Sequence, residues 1–201
     1  MTRIVIASAA PFETDETIYR LQKKRIEFTR VITGVGMSEA AMIAARTREL
    51  ITDRDIIFCC TAGIVGKFDK ISLFLADKVE LGSWDVRNGR TDLLKDFDRA
   101  LNLSPKDIAL PRCRALCSLG VSTRPDEPRE TQLKQDSQAV VETMELYAVA
   151  RAWLPLARSF TAIVATTNAT GEAARSDWRT NFKEAASMTA EFLENAAAHL
   201  R

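Results

Sequence analysis

Histidine is almost missing from this chain: only one of its 201 residues, His199, is a histidine, and it lies near the C-terminal end. A Ser-His-Asp or Cys-His catalytic arrangement needs a histidine beside the nucleophile, and zinc sites are built from several histidine or cysteine ligands. These classes of site are therefore excluded, and we expect neither a metal ion nor an organic cofactor. Any catalysis must depend on carboxylates, amides and hydroxyls.

A cluster of basic residues and a long apolar run are also missing. The 28 Lys and Arg residues are balanced by 27 Asp and Glu residues, and no basic block alternates with aromatic side chains. We therefore expect no nucleic-acid partner. The apolar segment 4–10 is too short to span a membrane and lacks a basic leader with a cleavage site. It predicts a strand, and we expect no membrane partner.

The four cysteines show no Cys-x-x-Cys spacing, which is the spacing of many redox and metal motifs. Cys59 and Cys60 lie in an apolar stretch and are typical of small core residues. Because reduced thiols are the ordinary state in a cytoplasm, we expect a cytoplasmic protein whose cysteines are free.

Short apolar segments alternate with helical patterns, which at this length predicts one domain spanning residues 1–201. The predicted strands are residues 3–9, 27–33, 55–61, 77–81, 115–122 and 160–167. The predicted helices are residues 12–24, 38–51, 93–101, 129–135 and 177–199, with one more opened by residues 141–145. The predicted loops include residues 84–90 and 123–128. This alternation favours an α/β fold with a mixed, mostly parallel central sheet flanked by helices.

In sheets of this type, ligands bind outside the carboxyl ends of the strands. The segments expected at that edge are residues 9–13, 33–36, 61–63, 120–122 and 167–168. We therefore expect the ligand-contacting side chains to come from these segments and from the helix that residues 141–145 open.

Residues 141–145, Val-Glu-Thr-Met-Glu, form the most informative motif. A carboxylate accepts hydrogen bonds from two vicinal hydroxyls, and a thioether packs on the apolar face of a sugar. Glu145 and Met144 together can therefore hold a ribose. The alternatives are that Glu145 interacts only with the helix dipole and that Met144 belongs to the core.

Four segments, in this order, resemble the nucleoside phosphorylase and nucleosidase superfamily. They are residues 4–13, a strand followed by Pro-Phe-Glu; residues 33–36, Thr-Gly-Val-Gly; residues 61–63, Thr-Ala-Gly, with Ala-Asp-Lys-Val at 76–79; and residues 141–145, followed by the strand ending at Asn168. The hydrolytic branch is the most similar, namely the methylthioadenosine/S-adenosylhomocysteine nucleosidases and especially the futalosine hydrolases. Asn168 with Trp178 downstream favours the latter.

The resemblance implies a role for each matching position. Glu13 is expected to be the general base that activates water, and Met144 and Glu145 to bind the ribose. Substrate contacts are also implied for two strand ends. These are Thr61, Ala62 and Gly63, and Gly120, Val121 and Ser122. Taken by itself, Glu13 is better explained as an exposed acid at a helix start, beside Asp15 and Glu16, and it is the resemblance that favours the general base.

Asn168 departs from the adenine-releasing nucleosidases, which have an aspartate at this position. An asparagine amide donates from its nitrogen and can serve N7 and a 6-oxo group together. A 6-oxopurine such as hypoxanthine, the base of futalosine, therefore suits Asn168 better than adenine does. An asparagine that caps a turn after a strand is the other interpretation.

Three alternatives to a futalosine hydrolase stay open. One is an adenine-releasing nucleosidase, and another is a nucleoside-binding protein without catalytic activity. The third is a phosphorylase, which needs a glycine-rich nest of N–H groups for phosphate. The first strand has no glycine at its end, and Pro11 removes a donor, so water is favoured as the nucleophile.

Two features of the site depend on aromatic and bulky residues. The aromatic side chain that stacks on the base is not obvious, and the candidates are Phe12, Phe160 and Trp178. Leu146 and Tyr147 stand where the family has small residues, in a neighbourhood that related enzymes use for dimer contacts. The resemblance therefore implies a homodimer or higher homo-oligomer with a small purine nucleoside as its ligand.

Overall fold

A computed structural model of the protein describes residues 3–82, 98–120 and 138–196. The strands are β1 Ile4–Ser8, β2 Thr29–Ile32, β3 Asp55–Ile64, β4 Leu73–Leu81, β5 Ala100–Asn102, β6 Arg112–Cys117, β7 Ala139–Thr143 and β8 Ser159–Ala169. The α-helices are α1 Asp15–Lys23, α2 Met37–Arg46, α3 Arg48–Ile51, α4 Leu146–Trp153 and α5 Ala174–Asn195. A 3₁₀ turn, Pro11–Glu13, connects β1 to α1.

The strands form one mixed, mostly parallel sheet, as the sequence predicts. β3 lies parallel to β1 and β8, β1 is parallel to β2, and β6 is parallel to β4 and β7. The antiparallel pairs among the described strands are β3 with β7, β4 with β5 and β4 with β8. Because β3, β8, β4, β6 and β7 each pair with the next and β7 returns to β3, these five strands close a ring.

Helices cover two sides of the sheet because side chains alternate along each strand. On β3, Ile56, Phe58 and Cys60 pack into the larger core with α2 and α4, whereas Ile57 and Cys59 face the smaller core beneath α1 and α5. Burying one such isoleucine or phenylalanine contributes about 1.5–3 kcal/mol. The apolar run at 55–61 is therefore a strand that is buried on both faces.

The main error of the sequence prediction concerns residues 139–143. The sequence predicts that the Val-Glu-Thr-Met-Glu motif opens a helix, but its first three residues belong to strand β7, and α4 begins only at Leu146. The β-branched side chains of Val140, Val141 and Thr143 suit a pleated strand, and β7 pairs with both β6 and β3. Strand pairing with distant segments outweighs the helical pattern of the alanines that follow.

Other boundaries differ by less. The helix predicted for residues 38–51 divides at Thr47, whose hydroxyl donates to the carbonyl of Ile43 at 2.9 Å. The end of the helix predicted at 93–101 is wrong, because Ala100–Asn102 pairs with β4 as a strand. The predicted loops at 84–90 and 123–128, the helix at 129–135 and His199 lie outside the described residues.

Within the parts of the chain that the structure describes, no helix combines the length and the apolar character that crossing a membrane requires. In the same parts, no three histidine, cysteine or acidic side chains converge in a way that could hold a metal ion.

Candidate active site

A cavity of about 500 Å³ lies beyond the carboxyl ends of β1, β3, β7 and β8. This is the position that the alternation of strands and helices predicts. Most residues that the sequence singled out line this cavity. They are Glu13, Thr61, Ala62, Gly63, Met144, Glu145 and Asn168. Segments that are far apart in the sequence therefore meet around one space.

Glu13 is buried at the bottom of the cavity, with 6% of its surface exposed. Its Oε2 atom accepts hydrogen bonds from the backbone N–H groups of Ala9 and Ala10, both at 3.1 Å. Its Oε1 atom accepts from the backbone N–H of Thr61 at 2.9 Å and from the Thr61 hydroxyl at 3.0 Å. Four donors thus hold the carboxylate between the ends of β1 and β3, so the interpretation of Glu13 as an exposed helix-start acid is wrong.

The same burial changes the acidity of Glu13. Its pKa is raised from 4.5 to about 7: removal from water raises it most, the nearby charge of Glu145 also raises it, and the hydrogen bonds from Thr61 and Ala10 oppose the rise. A carboxyl group with a pKa near 7 exchanges protons readily at neutral pH, which is what a general base requires.

Glu145 is the second buried carboxylate of the cavity, with 7% of its surface exposed. Its Oε1 atom accepts a hydrogen bond of 2.7 Å from the backbone N–H of Gly36. Gly36 has φ of 88° and Gly34 has φ of 85°, so the turn between β2 and α2 adopts a backbone conformation that favours glycine at both positions. Burial raises the pKa of Glu145, and the N–H groups of Gly36 and Met144 lower it.

Glu142 is a third buried carboxylate at the cavity, and it is not among the residues that the sequence predicts for the site. Its Oε1 atom accepts a hydrogen bond of 3.2 Å from the Ser118 hydroxyl. Glu172 and Arg175, next to the start of α5, also line the cavity and were likewise missed. The alternation of β7 could have revealed Glu142, but only if residues 139–143 had been recognised as a strand.

Asn168 lies near the end of β8 and is 4% exposed. Its Oδ1 atom accepts from the Thr167 hydroxyl at 2.7 Å, and its Nδ2 atom donates to the carbonyl of Ala169 at 2.8 Å. A Cβ atom at Gly63 would come within 2.9 Å of Nδ2, so the glycine makes room for this amide. The contacts orient the side chain at the cavity and leave one amide hydrogen for a ligand.

The expectations for residues 120–122 and for the aromatic residue that stacks on the base have different outcomes. Gly120 is exposed and does not belong to the described lining of the cavity, whereas Val121 and Ser122 lie outside the described residues. Among the candidates for base stacking, Phe160 is wrong, because it is fully buried and stacks on Phe58 in the core. Phe12 and Trp178 do line the cavity.

Phe12 and Trp178 belong to an aromatic cluster with Phe182. The rings of Trp178 and Phe182, one turn apart on α5, stack with centroids 5.0 Å apart. Phe12 contacts both rings edge-on, at 5.8 and 5.1 Å. Because Phe12 immediately precedes Glu13, this cluster attaches α5 to the turn that carries the buried carboxylate.

Comparison with known proteins gives a structural likeness without sequence similarity. No protein-family model and no curated protein matches the sequence. A 5′-methylthioadenosine/S-adenosylhomocysteine nucleosidase from Helicobacter pylori has a TM-score of 0.80 at 15% identity, covering 100% of this chain and 99% of that chain. Futalosine hydrolase of the same organism has a TM-score of 0.78 at 14% identity, covering 99% and 98%.

A third structure, the corresponding nucleosidase of Streptococcus pneumoniae in complex with 8-aminoadenine, has a TM-score of 0.75 at 18% identity, covering 96% of this chain and 97% of that chain. The chain therefore has the fold of these nucleosidases, and the fold that the four sequence segments imply is confirmed.

Proposed function

We propose that this protein is a purine nucleosidase that hydrolyses the N-glycosidic bond of a modified purine nucleoside, releasing hypoxanthine in the manner of a futalosine hydrolase. The observation that carries the proposal is the meeting of Glu13, Glu145 and Asn168 around one cavity at the carboxyl ends of the strands. The likeness to structures of a futalosine hydrolase and of adenosine-derivative nucleosidases supports the same class of reaction.

Glu145 and Met144 are the groups proposed to hold the ribose. Hydrogen bonds from the ribose hydroxyls to a carboxylate strengthen as positive charge develops at C1′, so Glu145 contributes to the rate as well as to binding. Gly36 occupies one lone-pair position of Oε1, which directs the remaining acceptor positions of the carboxylate toward the cavity. The Met144 side chain packs on the apolar face of the sugar.

Glu13 is the proposed general base. It removes a proton from water while the water oxygen bonds to C1′, and the electron pair of the C1′–N bond leaves with the purine. The new proton then occupies a lone-pair position on the Glu13 carboxylate that one of the four donors now uses, so one donor must move away. Of these donors only the Thr61 hydroxyl can turn away, because the others are backbone N–H groups held by β1 and β3.

The same hydrogen bonds favour water over phosphate as the nucleophile. A phosphate site uses free backbone N–H groups and a cationic side chain. The N–H groups of Ala9 and Ala10 already donate to Glu13, and the backbone N–H group of Thr61 does so as well. The donors at the ends of β1 and β3 are therefore engaged by a carboxylate, which also repels an anion.

Asn168 is the residue proposed to select the base. Its remaining amide hydrogen can donate to N7 or to the 6-oxo group of hypoxanthine and stabilise the negative charge that the leaving base acquires. An adenine-releasing nucleosidase remains the second candidate, because two of the structurally similar proteins act on or bind adenine derivatives.

We further propose a homo-oligomer. Leu146 and Tyr147 do not support an interface, since both side chains are buried within the chain itself. Support comes instead from exposed apolar side chains on α2 and α3, in the turn before α2 and just after β6. These are Val35, Met42, Leu50 and Leu119. Light scattering on the purified protein tests this, and a monomeric mass would contradict it.

A base-release assay tests the proposed activity. The protein is incubated with futalosine, inosine, methylthioadenosine or S-adenosylhomocysteine, each with and without phosphate, and the free base is measured by chromatography. We expect hypoxanthine from futalosine without phosphate. Adenine release would contradict the base assignment, dependence on phosphate would contradict the hydrolytic reaction, and no base from any substrate would contradict the proposed enzyme.

Glu13→Gln is the matching variant. We expect it to reduce kcat by about 10²–10⁴-fold, the usual contribution of a general base, while ligand binding persists. Asp15→Asn is the control, because Asp15 carries an exposed carboxylate two residues away and pairs with Arg30. Equal activity of Glu13→Gln and Asp15→Asn would show that Glu13 is not the base.

A further inference from the structure

Trp178 makes a hydrogen bond that ties it to the buried carboxylate. Its indole Nε1 atom donates to the Thr61 hydroxyl at 3.2 Å, and that hydroxyl donates to Glu13 Oε1 at 3.0 Å. Trp178 thus reaches Glu13 through one intervening group, although the two residues lie on different elements, α5 and the 3₁₀ turn.

The direction of these two bonds follows from the chemistry of the groups. An indole N–H can only donate, so the Thr61 oxygen must accept from Trp178. The single hydroxyl hydrogen of Thr61 then remains for Glu13. If Glu13 is protonated on Oε1, the hydroxyl must accept from both sides, and its own hydrogen loses its partner. The arrangement therefore matches ionised Glu13 and opposes proton uptake.

Packing holds Trp178 in this position. Its ring stacks on Phe182 and contacts Phe12 edge-on. On the same helix, Asn181 Nδ2 donates to the carbonyl of Thr167 at 2.7 Å, which fixes α5 against the end of β8. The indole N–H is consequently directed at Thr61 by contacts on both sides of the helix turn.

We propose that Trp178 is a positioning residue: through the Thr61 hydroxyl, its indole N–H keeps Glu13 ionised and aligned at the cavity. The role of Glu13 as a base rests on the proposed nucleosidase activity. The effect of Trp178 on the ionisation of Glu13 does not depend on which substrate is bound. It explains how a carboxyl group that burial drives toward protonation can still act as a base at neutral pH.

Other charged or titratable groups lie near Glu13 or line the same cavity. These are Glu145 across the cavity, Cys59 and Cys60 on β3, Arg30 on β2 beside the carbonyl of Pro11, and Glu142, Glu172 and Arg175 on the cavity lining. All of them are unchanged in the variants described next, so a difference between those variants reports on the path from Trp178 through Thr61.

The experiment measures the ionisation of Glu13 directly. Infrared titration records the carbonyl band of protonated carboxyl groups in each protein and in the same protein carrying Glu13→Gln, and the difference isolates Glu13. Trp178→Phe retains an aromatic ring against Phe12 and Phe182 but removes the N–H group. We expect its Glu13 to titrate about 0.5–1 pH unit higher than in the wild type, the size of one relayed hydrogen bond.

A double-mutant cycle separates the relay from general disturbance of packing. Thr61→Val removes the hydroxyl, so adding Trp178→Phe to it should shift the Glu13 titration no further. Thr61→Ser keeps the hydroxyl and should respond to Trp178→Phe as the wild type does. An unchanged titration in Trp178→Phe, or an equal shift in the Thr61→Val background, would overturn the inference.

Kinetics provide a second readout when the proposed activity is found. Trp178→Phe should lower kcat/KM several-fold below pH 7 and have little effect at pH 9, where Glu13 is ionised in both proteins. A loss of equal size at all pH values would point to a structural role and contradict the inference. If no nucleoside is cleaved, the proposed nucleosidase activity is wrong. The infrared titration still decides whether Trp178 affects the ionisation of Glu13.

Discussion

Glu13 should make the stability of the folded protein depend on pH in an unusual direction. Burial raises its pKa from 4.5 to about 7. Between these two pH values, the folded protein retains a proton that the unfolded chain has lost. Since the folded state binds more protons, the free energy of unfolding falls as the pH rises through this range. The group stabilises the fold most below pH 4.5 and least above pH 7.

The magnitude follows from the two pKa values. The difference between 4.5 and about 7, at about 1.4 kcal/mol per pH unit, amounts to about 3 kcal/mol. That is a large part of the total stability of a typical domain, which is about 5–15 kcal/mol. The Glu13→Gln variant cannot titrate at this position, so its stability lacks this contribution to the pH dependence.

Urea unfolding of the wild type and of Glu13→Gln at several pH values between 4 and 8.5 measures the effect. The signal is tryptophan fluorescence, to which the fully buried Trp153 contributes. The amide disturbs some donors around position 13, but that cost is the same at every pH and cancels in the comparison. We expect the wild type to lose about 3 kcal/mol relative to the variant as the pH rises.

A difference between the two proteins that stays constant over this pH range would refute the reasoning, because it would mean that Glu13 titrates alike in the folded and unfolded states. Asp15→Asn removes an exposed negative charge from the next helix. Comparing Asp15→Asn with Glu13→Gln separates the effect of burying a carboxyl group from the effect of losing one charge.

Two further predictions concern the base and the ribose. In Asn168→Asp, a carboxylate would face the Ala169 carbonyl that Nδ2 now contacts at 2.8 Å, so the new group should stay protonated. We expect the adenine-to-hypoxanthine ratio of kcat/KM to rise about tenfold or more by chromatographic assay, and an unchanged ratio would contradict the role of Asn168. Gly36→Ala should raise KM and lower Tm, because φ of 88° costs alanine about 1–3 kcal/mol and displaces the N–H from Glu145. Gly66→Ala, at φ of 110° and away from the cavity, should lower Tm alone, and an equal KM for both variants would contradict the prediction.

Several elements could be predicted because their signal is local. The apolar runs of β1, β3 and β8 are long enough to identify buried strands, and their alternation with helices indicates a mostly parallel sheet. In such a sheet, ligand sites lie at the carboxyl ends of the strands, so the sequence alone predicts that Glu13 and Asn168 share one cavity.

The sequence predicts the wrong type of element where a strand pattern and a helix pattern compete. Residues 139–145 contain β-branched residues and then a Met-Glu pair, and alanines follow at 148, 150 and 152, so the segment suits both a strand and a helix start. Pairing with β6 and β3 decides in favour of a strand as far as Thr143, and those partners are distant in the sequence. Glu142 was missed for the same reason.

The sequence by itself determined the class of fold, the edge of the sheet where the cavity lies and two carboxylates that line it, Glu13 and Glu145. Only the tertiary structure decided that Glu13 is buried among four donors, and that Thr61 and Trp178, 48 and 165 residues further along, complete its surroundings. Periodicity reports which face of an element is apolar, and it carries no information about which distant side chains meet. The acidity of a carboxyl group depends on those meetings, because burial and hydrogen bonding change its pKa only once the chain has folded.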